Sequence, residues 1–116
     1  MPLVQVRYDA RRLFGDNLGQ IFHNLPGIIA KHLTVPGTGG EITEKDISVW
    51  MNESNTFDHI QGALEIVVFA GWYEERAANL DQRKERILAD LDKLLTSNMD
   101  GFVWILLVPE NSFGEI

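Results

Sequence analysis

The nitrogen of Pro2 is the atom in this chain best suited to do chemistry. With Met1 removed it is a free secondary amine on a rigid ring, able to take a proton and return it. With Met1 in place it is an amide and can do neither. In water such an amine is mostly protonated at neutral pH, so its use as a base requires burial or a nearby cation to disfavour the ammonium form. Arg11 and Arg12 follow close behind in the sequence. The other reactive residue types are less suggestive. His23 and His32 fall on opposite sides of a helix and His59 lies in a loop, so no metal site is expected. His32 reads instead as a cation at a helix end. Gly37, Gly39 and Gly40 lack the strand-to-helix turn and following basic residue of a phosphate loop. The chain has no cysteine, which excludes disulfides, thiolate catalysis and cysteine-based metal sites.

The elements that must carry Pro2 follow from periodicity. Val4, Val6 and Tyr8 alternate with Gln5 and Arg7, the period-two mark of a strand that Pro2 heads. As a bland alternative, proline simply opens that strand, where a missing N–H costs nothing. Leu18, Ile21, Phe22, Leu25, Ile28, Ile29, His32 and Leu33 form one helical stripe, with Asp16 or Asn17 as the expected N-cap. Pro26 lies inside the stripe without breaking its phase, so a single kinked helix is predicted. Residues 35–40 are a breaker and are expected to be the most flexible piece of the chain. Thr43 to Asp46 reads as a capped turn into a strand at 47–51. A second strand-rich run spans 64–70, Leu80 to Leu95 mark a second amphipathic helix, and 102–108 is the last strand.

The second half echoes the first. The spacing of Ile21, Phe22, Leu25, Ile28 and Ile29 reappears as Ile87, Leu88, Leu91, Leu94 and Leu95, and Val49-Trp50 reappears as Val103-Trp104. Glu53 to Phe57 and Glu110 to Gly114 close the halves alike. The expected fold is α+β: a single domain over 1–116 made of two β-α-β units, 1–60 and 61–116, forming a four-stranded sheet with two helices on one face. Two helices leave the other face bare, yet 102–108 is apolar on both sides, and Val67 and Phe69 join the uncovered side. Other copies of the chain are therefore expected to cover it, with Trp50, Trp104 and Phe69 as core or subunit contacts. The acidic positions Asp90 and Asp92 read as a solvated helix face.

At 116 residues with a net charge of −7, the chain lacks the basic face that nucleic acid or an anionic membrane would require. The start has no signal-peptide pattern and the longest apolar run is too short to span a bilayer, so a cytoplasmic protein is expected.

The proline after the initiator, the start Pro2-Leu3-Val4-Gln5-Val6, the arginine ten residues further on and the doubled β-α-β unit together resemble the tautomerase superfamily of oxalocrotonate tautomerases and macrophage migration inhibitory factor-like proteins. The resemblance spans the chain in layout but rests on few residues: Pro2, Arg12 and the candidates Phe57 and Phe113. It implies a homotrimer with helices outside, and a pocket holding the proline near a subunit boundary. It also implies a keto–enol isomerase that needs neither metal nor cofactor and acts on a small carboxylic acid. Pro2 would be the base, while Arg12, or Arg11 beside it, would fork onto the carboxylate and lower the amine's pKa. Phe57 and Phe113 are candidates for a pocket wall, though hairpin packing explains them equally well. Short members carry a second arginine in the strand after the first helix, where this chain has none; Arg7 and Arg76 are both open as substitutes. Glu53, Glu65 and Asp58 are carboxylates with no partner evident from spacing. Two rivals remain at this level: a non-catalytic oligomeric binding protein of the same fold, and a ferredoxin-like ligand-sensing domain.

Overall fold

The computed structural model describes residues 2–96, 99–110, 112 and 114–116. Met1 and Phe113 thus lie outside the described residues. Strand β1 (Leu3–Tyr8) leads into helix α1 (Gly15–Leu33), a 3-10 turn at Glu44–Asp46 and strand β2 (Ser48–Glu53). Strand β3 (Leu64–Gly71), two helices α2 (Glu74–Ala78) and α3 (Leu80–Asp92), and strand β4 (Gly101–Val108) complete the chain.

The strands form one sheet in the order β2-β1-β3-β4. β1 and β2 are parallel, β3 and β4 are parallel, and the central pair β1–β3 is antiparallel. Each β-α-β unit therefore keeps its own two strands adjacent. That overturns the ferredoxin-like alternative, whose split units place a strand of one between the strands of the other. The echo in the sequence is visible in the sheet. Trp50 stands opposite Gln5, Gln5 opposite Val67, and Val67 opposite Trp104, so the two indoles bracket one row symmetrically.

The core lies between the sheet and the helices. Val4 and Val6 of β1, Leu64, Ile66 and Val68 of β3, Ile21, Leu25, Ile29 and Leu33 of α1, and Ile87 of α3 are all almost fully buried. These are the positions that period-two and three-four spacing select. Phe22 is the exception in the stripe, half exposed on the outer side of α1. Pro26 sits within one continuous helix. Helix α1 starts earlier than Asp16 or Asn17 would cap it: its N-cap is Phe14, with Gly15 at φ 59 making the turn, and no side chain caps it. Thr43 and Asp46 form the expected capping box. The second helix is two pieces broken at Asn79, whose side-chain oxygen accepts Arg83 Nε at 2.6 Å.

The opposite sheet face is bare. Leu3, Phe69 and Leu106 form one cross-strand row, Trp50, Val67 and Trp104 the next, and Phe102 ends a third. Trp50, Trp104, Leu106 and Phe102 are all substantially exposed there. Phe102 and Trp104 stack with ring centroids 6.0 Å apart. Among the described residues no helix is long and apolar enough to cross a membrane.

Candidate functional site

β1 carries Pro2 at its head, and the sheet decides what joins it there. Because β2 runs with β1, the 3-10 turn before β2 lies at the same end. Because β3 and β4 run against β1, their last residues arrive there too. Pro2 is buried, and its carbonyl accepts the N–H of Ser48 at 3.3 Å. It lines a cleft of about 1010 Å³ with Ile42, Lys45, Trp72, Tyr73 and Arg76. Trp72 N–H donates to the Val108 carbonyl at 2.9 Å, tying the ends of β3 and β4 together beneath the cleft.

Arg76 is the group that sequence reasoning most under-read. In a short helix written Glu-Glu-Arg-Ala-Ala it looks like a surface charge, yet it is 1% exposed. Its guanidinium donates from Nε to the Leu33 carbonyl at 2.8 Å, from Nη1 to Gly71 at 2.6 Å and from Nη2 to Gly40 at 2.8 Å. It also lies over the Tyr73 ring, 5.1 Å from the centroid, an attractive cation–π geometry. One side chain thus joins the end of α1, the loop after it and the end of β3. Arg83 completes the arrangement by donating from Nη1 to the carbonyls of His32 and Thr34, each at 3.0 Å. The last carbonyls of a helix have no partner within it and carry its negative dipole end, so those of His32, Leu33 and Thr34 suit a buried cation. Gly40 of the loop and Gly71 of β3 supply the other two acceptors of Arg76. Burial pushes the Arg76 pKa below its ordinary value, and the neighbouring charge of Arg83 adds to this.

The loop at 35–40, expected to be the most flexible segment, is closed and bonded. Val35 N–H donates to the Gly40 carbonyl at 3.0 Å, Thr38 Oγ1–H to the Val35 carbonyl at 2.7 Å, and Gly40 N–H to Thr38 Oγ1 at 2.9 Å. Tyr73 packs against it so closely that a Cβ on Gly40 would stand 3.1 Å from the ring. Glycine there is a packing requirement of the cleft rim.

Lys45 is exposed on the turn before β2 and, among the described residues, has no ion-pair partner. Its neighbour Asp46 is held below the usual carboxylate range by the backbone N–H and hydroxyl of Thr43. Glu41 and Glu110 also line the cleft. The chain therefore offers a sheltered Pro2, a fixed buried cation, an ammonium and an aromatic wall, within a partly acidic rim.

The arginines singled out by sequence lie elsewhere. Six strand residues separate Pro2 from the loop holding Arg11 and Arg12, a span of about 20 Å, so within a protomer they occupy the opposite end of the sheet. Arg11 donates from Nε and Nη2 to the two carboxylate oxygens of Asp9, whose pKa is lowered chiefly by that side-chain bond and next by the Arg11 backbone N–H. Arg12 Nη2 bonds Asp100 at 2.6 Å. The Asp100 carboxyl is held low first by the Ala63 N–H and then by Arg12. Phe57, 96% exposed in the turn after β2, is also at that far end. Of the substitutes considered, Arg7 is committed to Asp58 at 2.9 Å on the bare face side, while Arg76 belongs to the Pro2 cleft. Asp58 is thereby paired, and Glu65 accepts the Gln61 N–H at 2.8 Å.

No protein-family model and no curated protein matches the sequence. Solved structures match it in shape. MIF2 of Leishmania major aligns at a TM-score of 0.58 with 12% identity, covering 97% of this chain and 93% of its own. A fused 4-OT, described as an asymmetric trimer, aligns at 0.57 with 16% identity over 97% of this chain and 91% of its own. A domain of unknown function from Sebaldella termitidis aligns at 0.56 with 13% identity over 99% and 95%. At such identities the likeness is one of architecture, and it agrees with the topology: the chain has a tautomerase-like fold.

Proposed function

We propose that the protein is a cofactor-independent keto–enol isomerase whose base is the free amine of Pro2, acting on a small keto or enol carboxylic acid. The observation that carries this reading is the burial of Pro2 in a cleft that also holds Arg76 and Lys45. In ketonisation the nitrogen would take the proton of the enol hydroxyl, and the resulting ammonium would deliver it to the carbon α to the new carbonyl, or further along a conjugated enol. From a keto acid it would take the α proton and return it at another carbon, in each case with no net change in protons. Burial and a buried cation both disfavour the ammonium, which moves the amine towards a working pKa near neutrality.

The bare sheet face supports a homotrimer in which three sheets enclose a common interior, and the fused 4-OT of similar shape is itself a trimer. In that assembly Arg12, Arg11 and Phe57 reach a Pro2 cleft only if a neighbouring protomer supplies them. The Arg12–Asp100 pair is half exposed, and exchanging such a pair for a substrate carboxylate costs about 1 kcal/mol or less. Phe57 gains a reason for its exposure if it packs on a neighbour.

A second reading is favoured by a specific observation. Arg11 and Arg12 are both already bonded to carboxylates of their own protomer, as expected of a non-catalytic oligomeric binding protein with this fold. Ketonisation of phenylpyruvate enol and 2-hydroxymuconate, followed by absorbance with native protein and with Pro2→Ala, separates the two. The isomerase reading predicts activity lost by at least a hundredfold in the variant. Equal rates, or none in either protein, would leave the binding protein.

A further inference from the structure

The resemblance to known tautomerases implies Arg12 as the cation that tunes the proline, but the fold places a different guanidinium, that of Arg76, in the cleft that Pro2 lines. Continuing the β1–β3 register one residue beyond Leu3 and Phe69 places Pro2 across from Ala70. The next residue, Gly71, is the one whose carbonyl receives Arg76 Nη1 at 2.6 Å. The guanidinium is therefore held one residue from the strand position facing Pro2, at the floor of the same cleft. It cannot swing away, because three carbonyls from three separate segments fix it. With 1% of its surface exposed, it is also poorly placed to grip a substrate.

We infer that Arg76 is a positioning residue that sets the base strength of Pro2 through its charge, without touching the substrate. The inference rests on the reading of Pro2 as a free amine. Other charged and titratable groups face the same cleft: Glu41 from the loop, Lys45 and Asp46 from the 3-10 turn, Tyr73 ahead of α2, and Glu110 and Glu115 from the chain after β4. The four carboxylates would raise the amine's pKa and Lys45 would lower it. All five are exposed to solvent, which weakens their influence, whereas Arg76 acts through the protein interior. A unit charge within about 10 Å, at an effective dielectric near 20, is worth about one pKa unit. The wall residues Trp72 and Tyr73 and the loop at 35–40 are then what remains to define the substrate's shape.

The test is a ¹⁵N-proline NMR titration of native full-length protein, read at the Pro2 amine, with intact mass recorded on the same sample. The native amine should titrate below the ordinary α-amino range of about 7.7–8.0. Arg76→Gln should raise that pKa by about one unit, Arg76→Lys should leave it within about 0.3 unit, and Lys45→Gln should move it less than Arg76→Gln does. A native pKa within or above the ordinary range overturns the inference, as does a depressed pKa that Arg76→Gln leaves unchanged. If Arg76→Gln does not fold, Arg76→Met, which keeps the apolar stem and removes the charge, takes its place: a pKa raised by about one unit upholds the inference, and an unchanged one overturns it. A return to the ordinary range in Lys45→Gln assigns the effect to Lys45. Retained Met1 with no titrating amine defeats the isomerase reading itself, a result distinct from either failure of Arg76.

Discussion

Removing the two tryptophans of the bare sheet face should dissolve the oligomer while leaving the protomer folded. Trp104 is 42% exposed and Trp50 55% exposed in the single chain. An aromatic side chain buries up to about 250 Å², so about 100 Å² of Trp104 and about 140 Å² of Trp50 remain for a neighbour to cover. At about 25 cal/mol per Å², and allowing for the methyl group that alanine retains, each substitution removes about 2–3 kcal/mol of association free energy per protomer. Each should then weaken assembly by about two orders of magnitude. The buried parts of both indoles pack within the protomer, so a smaller loss of monomer stability is expected as well. Sedimentation velocity across a concentration series, on native protein, Trp104→Ala, Trp50→Ala and the double variant, reads the effect directly. Native protein should sediment as a trimer at micromolar concentration, the single variants should dissociate there, and the double variant should be monomeric with native circular dichroism. A native monomer would refute the reasoning, and so would a double variant that keeps the trimer mass over the same range.

Other consequences follow from the helix ends. Arg83→Met should cost about 2–4 kcal/mol in urea unfolding, because the carbonyls of His32 and Thr34 lose a charged donor in a mostly buried setting; a loss under about 0.5 kcal/mol would show those carbonyls to be satisfied by water. His32 Nε2 lies 2.6 Å from Asp90, and that bond is the chief cause holding the Asp90 carboxyl below 3.8. A carboxylate depressed on folding adds stability that is fully present above its unfolded pKa and is lost as pH falls through the folded one. The stability gap between native protein and Asp90→Asn should therefore be constant from about pH 5 to 6 and shrink below about pH 4. Urea midpoints across that range check this, and a gap unchanged down to pH 2 would contradict it. Gly40→Ala should lower the melting temperature by several degrees, about 1 kcal/mol, since its Cβ would stand 3.1 Å from the Tyr73 ring and 3.2 Å from Thr38 Oγ1. An unchanged melting curve would mean that the ring moves freely.

Local pattern carried most of the architecture. Alternation at Val4 and Val6, the stripe from Ile21 to Leu33 with Pro26 inside it, the Thr43–Asp46 capping box and the tryptophan echo are all short-range signals, and each has its counterpart in the structure. The uncovered apolar face was legible for the same reason, since strand alternation assigns faces directly. What pattern could not supply was the long-range polar pairing. Asp90 read as part of a solvated face because its partner, His32, is 58 residues away on another helix. Arg76 stood level with Arg7 as a substitute for the missing strand arginine, because its partners are main-chain carbonyls, which no side-chain spacing reveals. Arg12 was drawn to Pro2 by resemblance, whereas one strand's length keeps them at opposite ends of a protomer.

Intact-mass analysis of the protein isolated from its native cells tests the central claim most directly. A chain that begins at Pro2, with an underivatised N-terminus, is what the account predicts, for only then is the Pro2 nitrogen a base. A population retaining Met1 in full, or carrying an acyl group on that nitrogen, would contradict it.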